Sequence, residues 1–263
     1  MRLCFHVFVF FTHSLSSSPY LILGYQVFNA ALPKTWLTQA HAAAASAIQR
    51  YRETEPVTHA NGVSLGEFAQ ASPHRNPSVD GSAFLNEPYI IGDLLAVDRC
   101  FGPLLSEPAL WSIAASLLDV ELRHVVFHYS NLTRKPAGIG PSISWHRDAE
   151  TTYFCPDDDR FLRLLIPLQG MSQENGGTAV MPGSHLNKIR KNELDGSAVI
   201  YPSLAAGDVL AIHPQLLHGG EPNRSSKERD VLIVQFGVSG AGFRYQETME
   251  LGSLHARDTF IAL

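Results

Sequence analysis

The chain has 263 residues, of which 45% are hydrophobic and 17% charged, so it can bury a substantial core and is too apolar to be disordered. Its 20 Lys and Arg against 25 Asp and Glu give a net charge of −5. Without a basic cluster, such a chain is a poor candidate for binding nucleic acid. The three cysteines are widely spaced and predict neither a disulfide scaffold nor a thiolate zinc site. We expect a globular, cytoplasmic protein.

The N-terminal residues 1–19 need separate treatment. An apolar run that follows Arg2 and ends at Phe11 partly fits a secretory or organellar signal. However, His6 interrupts the apolar centre, and the run is too short to span a bilayer. A targeting segment and a simple extension both remain open. We expect residues 20–263 to form a single domain, and no other stretch predicts a membrane span.

The first part of that domain, up to about residue 120, is predicted to be mainly helical. Residues 20–27 suit a short strand with a bend at Gly24. The pattern then predicts helices at 37–53, 94–97 and 108–118. Between the first two of these helices, residues 54–82 are rich in Pro, Gly and Ser and predict irregular structure.

From Glu121 to about residue 240, the sequence becomes β-branched and aromatic. Its short apolar runs are separated by Gly, Pro, Asn and Asp at intervals of about 8–12 residues, which is typical of a β-sandwich or barrel. The strand runs are ELRHVVFHYSNL, SISWHRD, RFLRLLIPLQ, GTAVMPGSH, SAVIYPSL, DVLAIHPQLLH and DVLIVQFGVSG. We therefore expect a mainly β core supported by the N-terminal helices.

One of these strands carries a candidate metal site, the sequence His146-Arg147-Asp148. Side chains two apart on a strand lie on the same face, so His146 and Asp148 can point together into a barrel. A third ligand would come from a distant strand, and both His213 and His218 follow a suitable apolar run. Two histidines and one carboxylate leave coordination positions open for a co-substrate and oxygen, as in non-haem Fe(II) oxygenases.

Arg229 strengthens this interpretation. It lies eleven residues after His218, at the start of the strand RDVLIVQF. An inward-facing guanidinium there could bind the distal carboxylate of a 2-oxo acid such as 2-oxoglutarate through two parallel hydrogen bonds.

Three segments resemble the phytanoyl-CoA dioxygenase family of Fe(II)/2-oxoglutarate oxygenases. They are WHRD at 145–148, ENGGTAVMPGSH at 174–185 and GDVLAIHPQLLHGGEPNRSSKER at 207–229. The resemblance implies a double-stranded β-helix, which is a form of jelly roll. It assigns the iron to His146, Asp148 and His218, in preference to His213 or His185. It assigns 2-oxoglutarate to Arg229, and further to Lys135 and Thr133 on the strand before the HxD sequence. Arg224 is a rival of Arg229, but its loop position, six residues after His218, is less suited to holding a side chain rigidly.

The family resemblance also implies the cofactors and the reaction. The cofactors are Fe(II), 2-oxoglutarate and O2, with ascorbate as a candidate reductant. The enzyme would hydroxylate an aliphatic carbon of a small molecule and release succinate and CO2. The run HRDAETT at 146–152 is similar to the ectoine hydroxylase branch, but Thr152 and Gly220 depart from it, so ectoine is not predicted. Tyr153 and Phe154 are candidates for lining the substrate pocket.

Three other classes remain open. A cupin-like metal-binding protein or isomerase would share the barrel and histidines without needing Arg229. A zinc hydrolase would need a general base beside the metal, and the sequence indicates none. An inactive homologue could serve as an interaction protein, although this chain carries the complete residue set. The sequence leaves the substrate and the oligomeric state undetermined.

Overall fold

The fold is seen in a computed structural model, which describes residues 18–53, 59–60, 63–64, 66–68, 87–150, 155–187, 189 and 196–242. The helices are α1 (Pro19–Leu23), α2 (Lys34–Glu53), α3 (Leu94–Val97), α4 (Phe101–Leu105) and α5 (Pro108–Leu118). The first strands are β1 (Tyr25–Phe28), β2 (His59–Ala60), β3 (Val63–Ser64), β4 (Gly66–Phe68), β5 (Pro88–Gly92) and β6 (Val125–Lys135). The remaining strands are β7 (Ile143–His146), β8 (Phe161–Pro167), β9 (Thr178–Val180), β10 (Val209–Ile212), β11 (His218–Gly220) and β12 (Arg229–Val238).

Two antiparallel sheets form the β core. The large sheet has the strand order β1-β10-β8-β12-β6-β5-β4, and the small sheet has the order β7-β11-β9. The short pair β2-β3 stands apart from both. Mostly β structure with a jelly-roll core and supporting helices confirms the predicted fold class.

The outer face of the large sheet packs against the helices. Four alanines of α2 are buried at the i, i+3, i+4 and i+7 spacing of one helix face, namely Ala40, Ala43, Ala44 and Ala47. Their small side chains let the helix lie close to the rest of this core, which includes Leu164 and Ile166 of β8. The indole Nε1 of Trp36 donates a hydrogen bond to the Leu104 carbonyl, 2.9 Å away, and so joins α2 to α4.

The inner face of the large sheet packs against the small sheet. Because strand side chains alternate, Leu165 points inward between the outward-facing Leu164 and Ile166. It joins a second apolar cluster with Leu210 of β10 and Val180 of β9. This cluster fills the space between the two sheets, and the polar residues described below lie in the same interior.

The structure corrects some of the predicted elements. Residues 19–23 form a helix, not a strand, because Pro19 suits a first helical turn and Gly24, at φ 83°, ends the helix in the left-handed conformation. The strand predicted at 197–204 is reduced to two isolated bridges, Ile200 with Val180 and Leu204 with Met171. The short helix α4 was not predicted, because five residues containing Gly and Pro show no apolar periodicity.

Other expectations fall on parts of the chain that the structure does not describe. These parts are residues 1–17 and most of 54–82. The residues described within 54–82 form β2, β3 and β4, so irregular structure was the wrong prediction there. Pro19, placed in the predicted extension, is the first residue of α1. Within the described residues, no helix combines the length and hydropathy needed to cross a membrane.

Candidate metal centre

The two histidines are brought together by the pairing of β7 with β11. His146 is the last residue of β7 and His218 the first of β11, and the antiparallel register places them directly opposite each other. Asp148 follows two residues later, at the start of a 3₁₀ turn, Asp148–Glu150. One possible ligand atom from each of the three side chains lies within 4.8 Å of the others. The structure therefore assembles the three residues that the sequence predicted as iron ligands.

The two imidazoles are oriented alike. The Nδ1 atom of His146 lies 2.8 Å from the Ser144 carbonyl, and that of His218 lies 3.0 Å from the Leu216 carbonyl. A carbonyl oxygen only accepts, so each Nδ1 carries the hydrogen, and Nε2 is the nitrogen whose lone pair a neutral ring offers to a metal. The Nε2 atoms lie 3.6 Å and 3.7 Å from the same oxygen, Oδ1 of Asp148. Such backbone contacts are typical of histidines that ligate metals.

The charge states favour a divalent metal. Burial, reinforced by His146, lowers the pKa of His218 to about 4, so this imidazole is neutral at pH 7. Burial alone would raise the pKa of Asp148, but the charges of Arg163 and His218 hold it below its ordinary value. One carboxylate and two imidazoles are a donor set that fits Fe(II). Asp148 is fully buried whereas the His146 side chain is 30% exposed, so the site opens on the side of His146.

The sequence prediction missed Arg163, on β8 of the large sheet. Its Nη1 atom lies 2.6 Å from Oδ1 of Asp148. Its Nε atom donates to Oε1 of Gln235, 3.0 Å away. The sequence signal that could have identified Arg163 is a single arginine in the apolar run FLRLLIP. All seven residues of this run are buried in the structure. A buried charge in such a strand needs a partner, and here that partner is a predicted metal ligand.

Two of the predicted co-substrate residues, Arg229 and Lys135, form a buried basic pair. Arg229 and Lys135 face each other at the end of the β12–β6 ladder, and both are buried. Lys135 Nζ donates to the carbonyls of Gly176 and Glu221. Burial lowers the pKa of Arg229 to about 10. Burial, followed by repulsion from Arg229, also lowers the pKa of Lys135 well below its ordinary value.

The Arg229 guanidinium is only partly engaged. Its Nη1 atom approaches Met171 Sδ at 3.6 Å. Its buried Nε and Nη2 atoms have no hydrogen-bond partner in the part of the chain that the structure describes. Buried donors of this kind are costly unless a ligand satisfies them. The guanidinium thus presents two adjacent donors to an acceptor such as a carboxylate.

Thr133 lies on the same face of β6 as Lys135, two residues away, and is buried. Its Oγ1 atom donates to Oδ1 of Asn131, 3.1 Å away. The described contacts therefore place it in the barrel interior, while its role toward 2-oxoglutarate stays a prediction.

The rival candidates lie elsewhere. The rings of His213 and His185 pack against each other with centroids 4.9 Å apart, and neither belongs to the metal cluster. Nε2 of His185 bonds to the Leu21 carbonyl at 3.0 Å, which gives this ring a structural contact. Arg224 is exposed. Tyr153 and Phe154, the candidate pocket residues, lie outside the described residues.

Comparison with known proteins identifies the family of the chain. Residues 23–231 match the family described as Phytanoyl-CoA dioxygenase (PhyH). The chain belongs to this family. The protein described as "Probable alpha-ketoglutarate-dependent hypophosphite dioxygenase" from Stutzerimonas stutzeri is 29% identical over 168 residues, covering 54% of this chain and 58% of that protein. The chain thus matches little more than half the length of this relative.

Solved structures show the same fold. EctD from S. alaskensis with bound Fe superimposes with a TM-score of 0.63 at 20% identity, covering 84% of this chain and 74% of that chain. The non-heme alpha ketoglutarate dependent carbocyclase SnoK from nogalamycin biosynthesis gives a TM-score of 0.64 at 18% identity, covering 90% of this chain and 87% of that chain. At these identities the likeness concerns the fold.

Proposed function

We propose that the chain is an Fe(II)/2-oxoglutarate-dependent oxygenase that hydroxylates an aliphatic carbon of a small molecule. His146, Asp148 and His218 would hold the metal. Arg229, with Lys135 and Thr133 on the neighbouring strand, would hold 2-oxoglutarate. When bound, the iron and its co-substrate would supply the oxidant, using O2 and releasing succinate and CO2.

The observation that carries this proposal is the combination of two sites in one barrel. A metal cluster alone would equally suit a cupin-like binding protein. The pair of Arg229 and Lys135 adds two buried basic groups, and Nε and Nη2 of Arg229 have no hydrogen-bond partner among the described residues. This pair is close to the metal cluster, because a Cβ on Gly220 would lie 3.1 Å from Lys135 Nζ, and Gly220 is two residues after His218.

The protein's own contribution would be binding and orientation. The carbonyls of Ser144 and Leu216 keep the Nε2 atoms of both histidines available to the metal. The Arg229 fork would fix one end of the co-substrate so that the other end reaches the metal. The apolar cluster between the sheets excludes water from the barrel interior, which strengthens these electrostatic contacts.

The substrate class remains broad within this proposal. The Stutzerimonas stutzeri relative is described as acting on hypophosphite, and EctD has been solved with 2-oxoglutarate and 5-hydroxyectoine. SnoK is described as a carbocyclase. A screen for substrate-dependent succinate release should therefore include small anions, zwitterions and larger aliphatic molecules.

The proposal can be tested without knowing the substrate. Purified protein is mixed anaerobically with Fe(II) and 2-oxoglutarate, and its visible spectrum is recorded. We expect a weak charge-transfer band that requires both components and is absent in His146→Ala. Ascorbate, a candidate reductant, would be tested later for its effect on sustained turnover.

No band in folded, metal-replete wild-type protein would contradict the proposal. Such a result would favour a metal-binding protein that does not use 2-oxoglutarate, or an inactive homologue. Metal analysis of the protein as purified would then distinguish between these two outcomes.

A further inference from the structure

The three candidate ligands are not held in the same way. His146 and His218 each bond to a carbonyl of their own strand. Asp148 lies beyond the end of β7, in a 3₁₀ turn, and its carboxylate is contacted from the opposite sheet by Arg163. We propose that Arg163 is a positioning residue that fixes the Asp148 carboxylate for metal binding. This inference rests on the proposed metal site.

A continuous row of buried polar contacts stands behind Asp148. Arg163 Nη1 contacts Asp148 Oδ1 at 2.6 Å, and Arg163 Nε donates to Gln235 Oε1 at 3.0 Å. Gln235 Nε2 in turn lies 3.2 Å from Nδ1 of His128. All four residues are at most 7% exposed. The row therefore links strands β6, β12 and β8 to the metal ligand.

The geometry requires an arginine. Gln235 is the register partner of Arg163 on β12, so it meets the guanidinium from the neighbouring strand. Asp148 meets the same group from the small sheet. A planar guanidinium carries donors on different edges and can serve both partners at once. A lysine could supply charge to Asp148, but it could not span both contacts in a fixed geometry.

At the far end of this row, the backbone of β6 and β12 makes room for His128. The β12–β6 ladder shifts register between Gln235 and Phe236, leaving His128 as the additional residue of β6. A Cβ on Gly237 would overlap the imidazole ring of His128. Glycine at 237 therefore leaves room for His128 to reach Gln235.

The row should keep the site assembled before metal arrives. Without metal, the buried Asp148 carboxylate needs a compensating charge, and Arg163 supplies one. The side chain is then already oriented, so less ordering is needed when metal binds. Removing a partner that orients a metal ligand commonly weakens metal binding by about 10–100-fold.

The experiment titrates metal-free full-length protein with Co(II) and follows the visible absorption of the bound ion. The variants are Arg163→Met, Arg163→Lys and Gln235→Leu. Arg160→Met is the matched control, because Arg160 is exposed and pairs with Asp158 at 2.8 Å. We expect a loss of about 10–100-fold in Co(II) affinity for Arg163→Met, a smaller loss for Arg163→Lys, and wild-type affinity for the control.

Gln235→Leu separates positioning from charge. It leaves the Arg163 charge in place and removes only its anchor, so we expect weaker Co(II) binding and an altered visible spectrum. Melting curves of the metal-free proteins show which variants fold. If Arg163→Met does not fold, Arg163→Lys and Gln235→Leu decide the question.

The outcomes are distinguishable. Wild-type protein that fails to bind Co(II) would overturn the metal site itself, and with it this inference. Wild-type binding combined with unchanged affinity in folded Arg163→Lys and Gln235→Leu would overturn the positioning role alone. Tighter binding by Arg163→Met would also overturn it, because the arginine would then act mainly by repelling the metal.

Discussion

Arg229 and Lys135 are register partners on β12 and β6, so two buried basic side chains lie side by side in the barrel. Burial, followed by repulsion from Arg229, lowers the pKa of Lys135. An anionic group bound beside both side chains would relieve this repulsion. We therefore expect mutations of this pair to have the largest effects on binding of the proposed co-substrate.

Arg229→Met should weaken 2-oxoglutarate binding by at least about 30-fold, since truncating one partner of a buried charged contact costs about 2–5 kcal/mol. The affinity can be measured by titrating 2-oxoglutarate into the anaerobic Fe(II) protein and following the charge-transfer band. Arg224→Met is the control, because this exposed arginine lies on the nearby loop. Equal losses in the two variants would contradict the assignment of Arg229.

Replacing each candidate histidine should separate the ligand from its rivals. Removing a residue that supports a metal ligand lowers metal affinity by about 10–100-fold. His218→Ala removes a direct ligand, so its Co(II) affinity should fall further than that. His213→Ala should bind Co(II) normally, since His213 packs against His185 outside the cluster. Strong metal binding retained by His218→Ala would refute the assignment.

Two glycines with similar backbones should respond differently to alanine. Gly176 and Gly138 have φ angles of 71° and 73°, so alanine is strained at both. At Gly176 the new Cβ would lie 2.7 Å from the Glu221 carbonyl, whereas at Gly138 it would meet nothing within 4 Å. We expect Gly138→Ala to lower the free energy of unfolding by about 1–3 kcal/mol and Gly176→Ala to lower it further.

The same two glycine variants also test the contacts of Lys135. The carbonyls of Gly176 and Glu221 both accept hydrogen bonds from Lys135 Nζ. Gly176→Ala should therefore also weaken 2-oxoglutarate binding, and Gly138→Ala should not. Urea unfolding measures the loss of stability in each variant, and titration measures its affinity for 2-oxoglutarate. If Gly176→Ala and Gly138→Ala gave the same result in each assay, the steric argument would be contradicted.

Stability of the metal-free protein should depend on pH through His213. Burial, together with the neighbouring His185, lowers the pKa of His213 from 6.5 to about 4, while Asp159 opposes this shift. The folded state then binds fewer protons than the unfolded state, so the free energy of unfolding falls as pH drops from 6.5 to about 4. The maximal slope is about 1.4 kcal/mol per pH unit for one group.

His213→Gln should reduce the slope of this part of the stability curve, to which His218 also contributes because its pKa is lowered in the same way. His124→Gln, which replaces an exposed histidine, is the control. Urea unfolding at a series of pH values measures the slope, and an unchanged slope in His213→Gln would refute the contribution of His213.

The sequence was informative where function depends on local spacing. His146 and Asp148 share a strand end, and the histidine at 218 stands before two glycines, so both parts of the site could be read from short segments. Arg229 was found in the same way, from its distance to His218. The family and the fold class were confirmed, while the ligand and co-substrate roles stay predictions.

The remaining contacts depend on which strands become neighbours. Arg163 and Asp148 are fifteen residues apart in the chain, and Arg163 lies on β8 of the large sheet whereas Asp148 lies in the 3₁₀ turn after β7. Periodicity shows that β8 is buried, but it does not show what its single arginine will meet. The row through Gln235 and His128 depends, in addition, on a register shift that has no sequence signal.

The division of the site between two sheets has a mechanical consequence. The histidines belong to the small sheet, whereas Arg163 and Arg229 belong to the large one. The distance between the two sheets is set by the apolar side chains packed between them, such as Leu165 and Val180. A methylene removed from these apolar side chains would leave a cavity that the two sheets can partly close, and it would thereby change the affinity of the site that spans them.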